Sequence, residues 1–337
     1  MEHTIEKDTS ITIFNSSSKE NLYHLIRHYG SASSISYLDC PYKFFSTPSI
    51  TGCIGYRIAF GCAIVMGEPL CEEDKKLSLA RAFQDFCQKG KTPIIYITTS
   101  KSFALHAHQK IVHSIVEAAD ELIFNPQNDP KKGSKGRLLR GKVSQAIRFG
   151  ITTHEYKGVD SSLEEKLEEV GSLWLKGRQG PQIYLAPVDL FSMRDGKRWI
   201  YAVCNDQVVG VALLHEIKAR SGWLLQLILT IPEAPNGTSE LLVTTCIDIL
   251  RAEGCQFLSF GAAPRKELGI IKGFGSFSTF LARVIYKGAK RAFPLDGRRK
   301  FWQKFSPESE GTFVLFERKH LSLKEVGAIM KSLNVSL

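Results

Sequence analysis

Along this chain, short apolar runs alternate with segments whose apolar residues recur every three or four positions. The runs predict strands and the periodic segments predict helices. Gly55–Met66 (GYRIAFGCAIVM) is β-branched and apolar, with Gly61 in the middle, and predicts a hairpin turning there. Glu72–Gly90 places Leu77, Leu79, Ala80, Ala82, Phe83 and Phe86 at helical spacing with charges between them, as in an amphipathic helix. Thr92–Thr98 and Glu121–Asn125 predict two further strands with a helix between them. Asn125–Ser134 is rich in Pro, Gly, Asn and Lys and predicts a linker.

The second half repeats this rhythm. Leu163–Leu175 predicts a helix, and Trp199–Cys204 with Val208–His215 predicts two strands paired around Asn205-Asp206. Trp223–Ile231 predicts a strand, followed by the loop PEAPNGTSE and a helix from about Ser239 to Glu253. In that helix Leu242, Thr245, Cys246, Ile249 and Leu250 fall on one face, and Gly254 terminates it. Gln256–Phe260 and Thr312–Glu317 predict two more strands, and Ser322–Leu337 a short amphipathic helix. The chain therefore divides into α/β segments at 1–134 and 135–320, with a helical tail at 321–337.

Charge changes this picture because it is concentrated. Lys131–Arg148 contains seven Lys or Arg and no carboxylate, and Pro264–Lys304 contains eleven against Glu267 and Asp296. The whole chain carries only +10, so everything outside these two stretches is net acidic. Such stretches favour a polyanion, either RNA or an anionic lipid surface. The start, MEHTIEKDTS, lacks the basic and apolar regions of a secretory signal, and no apolar run approaches membrane-spanning length. Both point to a cytoplasmic protein able to sit at the inner face of the membrane. The eight cysteines contain no C-x-x-C pair and lie mostly in apolar runs, and the cluster His106, His108, His113 lacks further ligands nearby, so no metal is expected.

A strand, loop and helix at Trp223–Glu253 is the arrangement in which a GCN5-related acyltransferase holds cofactor phosphates on backbone N–H groups. Here Pro232 and Pro235 each remove an N–H donor, which disfavours acetyl-CoA. Asn236-Gly237 is either part of a ligand site or a plain turn before a helix cap.

Several motifs in order resemble the C-terminal domain of bacterial phosphatidylglycerol lysyltransferases, the multiple-peptide-resistance family, over roughly residues 10–318. Met66-Gly67-Glu68-Pro69 resembles the family's Gly-Asp-Pro turn. Leu139-Arg140, Ser144 and Gly150 resemble its Leu-Arg…Asn…Gly spacing, and Trp174-Leu175 its Trp-Leu. The segment 232–237 (PEAPNG) is similar to its Pro-Asp-Ala-Pro-Asn-Gly, and Gly261-Ala262-Ala263-Pro264 to its Gly-Met-Ala-Pro. Gly297, Arg299, Phe301, Lys304, Phe305 and Pro307 resemble its Gly-Leu-Arg-x-Phe-Lys-x-Lys-Phe-x-Pro.

The resemblance implies tandem GCN5-related N-acyltransferase-like domains, each a mixed central sheet flanked by helices. It implies transfer of an aminoacyl group from aminoacyl-tRNA, the co-substrate, to a lipid head group, with no separate cofactor. Positioning and oxyanion stabilisation can drive such a reaction. The residues it points to are Gln226 and Asn236 for catalysis, and Arg140, Arg148, Gly237, Arg265, Arg299 and Lys304 for substrate. Arg140, Arg148, Arg299 and Lys304 are expected to converge on one cleft beside Gln226 and Asn236.

The chain also departs from the family. Gln226-Leu227-Ile228-Leu229 stands where the family has Asp-Leu-Met-Arg, Trp302 replaces a Lys, and Lys176–Gly180 lacks an acidic residue. This implies an altered donor or acceptor. Two alternatives stay open: a non-catalytic RNA- or membrane-binding module that kept the fold, and an acetyl-CoA-dependent N-acyltransferase. Trp174 and Trp302 are expected in the core, and Glu68 to hold its turn by hydrogen bonds.

Overall fold

A computed structural model describes residues 16–38, 42–177, 188–292 and 296–333. In chain order these form α1 (Ser16–Tyr29), β1 (Lys43–Thr47), β2 (Ile50–Ala59), β3 (Cys62–Met66), α2 (Lys76–Lys89), β4 (Ile94–Thr99), α3 (Lys101–Ala107) and β5 (Ser114–Phe124). Then come α4 (Arg137–Arg148), β6 (Thr152–Tyr156), α5 (Ser161–Lys176), β7 (Lys197–Cys204), β8 (Gln207–Ile217), β9 (Gly222–Thr230), α6 (Thr238–Ala252) and β10 (Leu258–Pro264). The chain continues with β11 (Ile271–Lys272), α7 (Ser276–Ala292), α8 (Asp296–Gln303), β12 (Glu308–Phe316) and α9 (Leu323–Ser332). Contacts group the chain into two units, each discontinuous in sequence. The first holds Met1–Asp120, Arg265–Phe293 and Gly311–Leu337, and the second Glu121–Pro264 and Pro294–Glu310. Neither coincides with a continuous 1–134 or 135–320 segment, and the tail helix α9 packs on β2 and β3 of the first unit.

In the first unit the strands run β1-β2-β3-β4-β12. β2 and β3 form the expected hairpin, which turns through Phe60 (φ 48°) and Gly61 (φ 74°). Left-handed backbone at both turn residues matches the twist of the strands that it joins. From β3 the chain crosses through α2 to β4, which lies parallel to β3 (Ala63↔Ile94 to Met66↔Ile97). All five residues of β3 are buried, which is why that run reads as continuously apolar. Phe83, Tyr96, Phe103 and Phe313 anchor the core beneath α2 and α3.

The second unit repeats the plan. β6, β7, β8 and β9 pair antiparallel, with the β7–β8 hairpin turning at Asn205 (φ 48°) and Asp206 (φ 61°). The chain then crosses through α6 to β10, parallel to β9 (Leu258↔Trp223, Ser259↔Leu224). α6 buries Leu242, Cys246 and Leu250 as expected, but Ile247 joins them while Thr245 and Ile249 are only partly covered. It is apolar over most of its circumference because the sheet covers one side and α4 the other. Both basic stretches are helical. The first forms α4, and the second is divided between α7 in the first unit and α8 in the second.

Candidate functional site

The strand leading into α6 has a break in its ladder. β8 and β9 pair Leu213 with Leu227 and Leu214 with Leu225, which leaves Gln226 as the extra residue of a β-bulge. A bulge locally re-aims a side chain that would otherwise follow the pleat. The Gln226 carbonyl oxygen Oε1 is buried without a hydrogen-bond partner. A buried acceptor left this way costs on the order of 1–3 kcal/mol, and a ligand N–H would recover that cost. Leu229, at the place of the family's Arg, is fully buried in the apolar core.

After β9 the chain turns through Ile231–Gly237. The Ala234 N–H donates to the Ile231 carbonyl (3.1 Å), and the Thr238 hydroxyl donates to that of Pro235 (2.6 Å). Gly237 caps α6 with φ +98°, and a Cβ there would overlap the Lys142 carbonyl oxygen of α4. Glycine is required on both counts. Lys142 Nζ donates to Asn236 Oδ1 (3.0 Å), and one turn further on the buried Glu240 accepts from Lys304 Nζ (2.6 Å). Lys304 also lies over the Phe301 ring at 4.8 Å. The head of α6 thus gathers Lys142, Asn236, Gly237, Glu240 and Lys304. Lys142 and Glu240 escaped the sequence reading. Their only signals were a lysine in a basic helix and an acid three residues after the capping glycine, both common on exposed helix surfaces.

The remaining candidates lie elsewhere. Arg140 donates to the Gly133 carbonyl (2.8 Å) and to that of Lys131, and so ties down the loop before α4. Arg148 is exposed and donates to Ser144 of its own helix (3.3 Å). Arg299 donates to the carbonyls of Pro264 (3.0 Å) and Ala263 (3.4 Å), and Arg298 to that of Phe260 (2.6 Å), so α8 is clamped to the end of β10. Arg265 belongs to the first unit, where it pairs with Glu117 (2.9 Å) and Asp120. Among the described contacts, Lys304 alone of the four expected cations meets the head of α6. The expected single cleft is therefore not how these side chains are engaged. Arginines at carbonyls and carboxylates satisfy backbone and buried acids first, which their spacing does not reveal.

The structural assignments agree better. Trp302 is buried and stacks on Phe260 (4.1 Å, 8°), and Trp174 packs partly buried against the same core. Glu68 accepts from Lys76 (2.7 Å) and from the Ser100 amide (2.7 Å) at the cap of α3. Arg178 to Gly180 lie outside the described residues. On β8, burial pushes the His215 imidazole down to about 3, with Lys197 adding to the effect. Burial also raises Cys53, Cys87 and Cys246 to about 12, so these thiols stay protonated. Among the described residues no group of three or more His, Cys, Asp or Glu could hold a metal ion. Nor is any helix long and apolar enough to cross a membrane.

Two units built alike, each with antiparallel strands followed by a crossover helix to a parallel strand, define a tandem acyltransferase-like α/β protein. A family model described as phosphatidylglycerol lysyltransferase, C-terminal, matches residues 23–316, and the chain belongs to this family. It is 22% identical over 263 residues to the phosphatidylglycerol lysyltransferase of Bacillus subtilis, covering 77% of this chain and 30% of the relative. It is 20% identical over 328 residues to that of Staphylococcus aureus, covering 94% and 38%. The chain thus spans well under half the length of these curated relatives. The solved structure of L-PGS from Bacillus licheniformis has the same fold, with a TM-score of 0.76 at 17% identity, over 94% of this chain and 96% of that one.

Proposed function

We propose that the chain moves an aminoacyl group from aminoacyl-tRNA to the head group of a phospholipid, of the phosphatidylglycerol class that its relatives' names specify. The observation that carries this reading is the unpartnered buried Oε1 of Gln226, set in a bulge on the strand that leads into α6. A neutral amide oxygen accepts a hydrogen bond from the α-ammonium of an aminoacyl ester and cannot itself act as acid or base. With Gln226 neutral and Leu229 apolar, an aminoacyl group with an uncharged side chain fits better than a lysyl group.

In this reaction an acceptor hydroxyl attacks the ester carbonyl carbon and forms a new C–O bond. The tetrahedral oxyanion collapses with loss of the ribose oxygen, which takes up the proton that the acceptor gives. One ester replaces another, so alignment and charge stabilisation supply the rate. Asn236, Gly237 and Lys304 set the head of α6, while Arg299 acts as a positioning residue by holding α8 to the end of β10. Arg140 and Arg148 lie with Lys142 on α4, and a shallow groove there, lined by Lys135, Arg137, Lys142 and Gln145, suits tRNA phosphates.

The test incubates the full chain with tRNA charged in turn with radiolabelled alanine and lysine, together with phosphatidylglycerol vesicles. Label should enter the organic-solvent-extractable fraction, and Gln226→Ala should lower kcat/KM by roughly 10–100-fold. A chain that binds charged tRNA but labels no lipid would instead support the non-catalytic binding role, which the apolar Leu229 favours.

A further inference from the structure

α7 turns part of its apolar surface outward. Its inner side is fixed to the first unit by the buried Ser278 and Ala282 and by the Tyr286 hydroxyl, which lies 2.8 Å from the Ala118 carbonyl and 2.9 Å from that of Arg265. Its exposed positions are 276, 277, 280, 283, 284, 287, 288 and 291, spaced three or four apart and forming one continuous face. A surface helix normally turns polar residues outward. This one presents Phe277 (77% exposed), Phe280 (65%) and Val284 (50%) along its first half. Lys287 and Arg291 continue the same face along the second half, and the helix contains no acid. The Leu321 amide donates to Ser278 Oγ (3.3 Å), which brings the start of α9 beside the first turn of α7. That neighbouring segment adds the exposed Leu323 (77%) together with the exposed Lys319 and Lys324.

We infer that this face of α7, with Leu323, is a membrane-docking surface that inserts into the head-group region of an anionic phospholipid bilayer. Apolar side chains flanked by cations on one helix face match such an interface in both chemistry and charge. RNA fits less well, because Val284 and Leu323 offer no ring to stack on a base and phosphates do not reward aliphatic exposure. The inference rests on the proposed function only in taking phosphatidylglycerol as the anionic lipid.

The experiment is co-sedimentation of the full chain with vesicles of phosphatidylcholine alone or mixed with phosphatidylglycerol, at two salt concentrations and with uncharged tRNA as competitor. Wild type should bind the anionic vesicles and release as salt rises. Phe277→Ser with Phe280→Ser should weaken vesicle binding on the order of a hundredfold. Lys287→Gln with Arg291→Gln should weaken it by about fivefold per cation and leave neutral vesicles indifferent. All four positions are exposed, so unfolding midpoints should stay at the wild-type value and show that lost binding is not lost folding. Vesicle binding by the Phe pair equal to wild type overturns the inference. So does loss of tRNA binding, with vesicle binding intact, in the Lys287/Arg291 pair. Transfer to a water-soluble short-chain phosphatidylglycerol separates the two readings: docking without transfer removes the proposed function, and transfer without docking removes this surface.

Discussion

Replacing Lys304 with Met tests what that lysine is for. Its ammonium lies 2.6 Å from Glu240, whose side chain is 7% exposed, while the Lys304 side chain is 22% exposed. Lys304→Met leaves a carboxylate buried at the head of α6 without its cation. Breaking a buried pair this way costs about 3–5 kcal/mol, and the partial access of water to Lys304 puts this case near 3 kcal/mol. For a unit of this size that is roughly 6–12 °C in unfolding midpoint. Calorimetry on the single variants and on Lys304→Met with Glu240→Met closes a double-mutant cycle. The double variant should regain all but about 1 kcal/mol, since two apolar groups leave no orphaned charge. A shift below about 2 °C for Lys304→Met, or a double variant no more stable than the single, would refute the reasoning. If the double variant is stable yet binds charged tRNA far more weakly, Lys304 serves the substrate as well as the fold.

Two further outcomes follow from the same unit. Gly237→Ala combines a left-handed φ of +98° with overlap on the Lys142 carbonyl, so urea unfolding should show a loss of about 2–4 kcal/mol as α4 is pushed from α6. His215 has a folded pKa of about 3 against an ordinary 6.5, so as pH falls the unfolded chain takes up the proton first. The stability is fully present above about 6.5 and is lost as pH falls toward 3, with about 2 kcal/mol gone between pH 7 and 5. His215→Leu should flatten that limb of the urea-midpoint profile, and an unchanged slope would show that His215 is not its source.

Much of the second unit was legible because its signals are local. Asn205-Asp206 between two alternating runs specifies a hairpin, and the apolar run of β9 followed by Pro, Asn and Gly specifies a strand, turn and helix. The bulge at Gln226 was not legible, because it is a property of the register between β8 and β9 and not of either strand alone. Lys142 and Glu240 were missed for a related reason: each became informative only when a distant residue, Asn236 or Lys304, came within hydrogen-bond reach. The exposed face of α7 escaped notice because Phe277, Phe280 and Val284 read as core positions in sequence, and only the packing of the helix leaves them exposed. The basic stretch from Pro264 to Lys304 was one feature in sequence but supplies a helix to each unit.

The threading of the first unit also sets an order of events on the ribosome. β4 pairs with β12, and the Thr99 hydroxyl donates to the carbonyl of Phe313, 214 residues later. Until that partner is synthesised, β4 presents an open strand edge to solvent or to a neighbouring nascent chain. The second unit has the unbroken stretch Glu121–Pro264 and needs only Pro294–Glu310 to complete it. The half that begins first therefore finishes last, and its closure depends on one of the slowest kinds of contact, a strand pairing distant in sequence. A ribosome stalled before residue 311 would expose the β4 edge, which makes late truncations more prone to aggregate than their small size suggests.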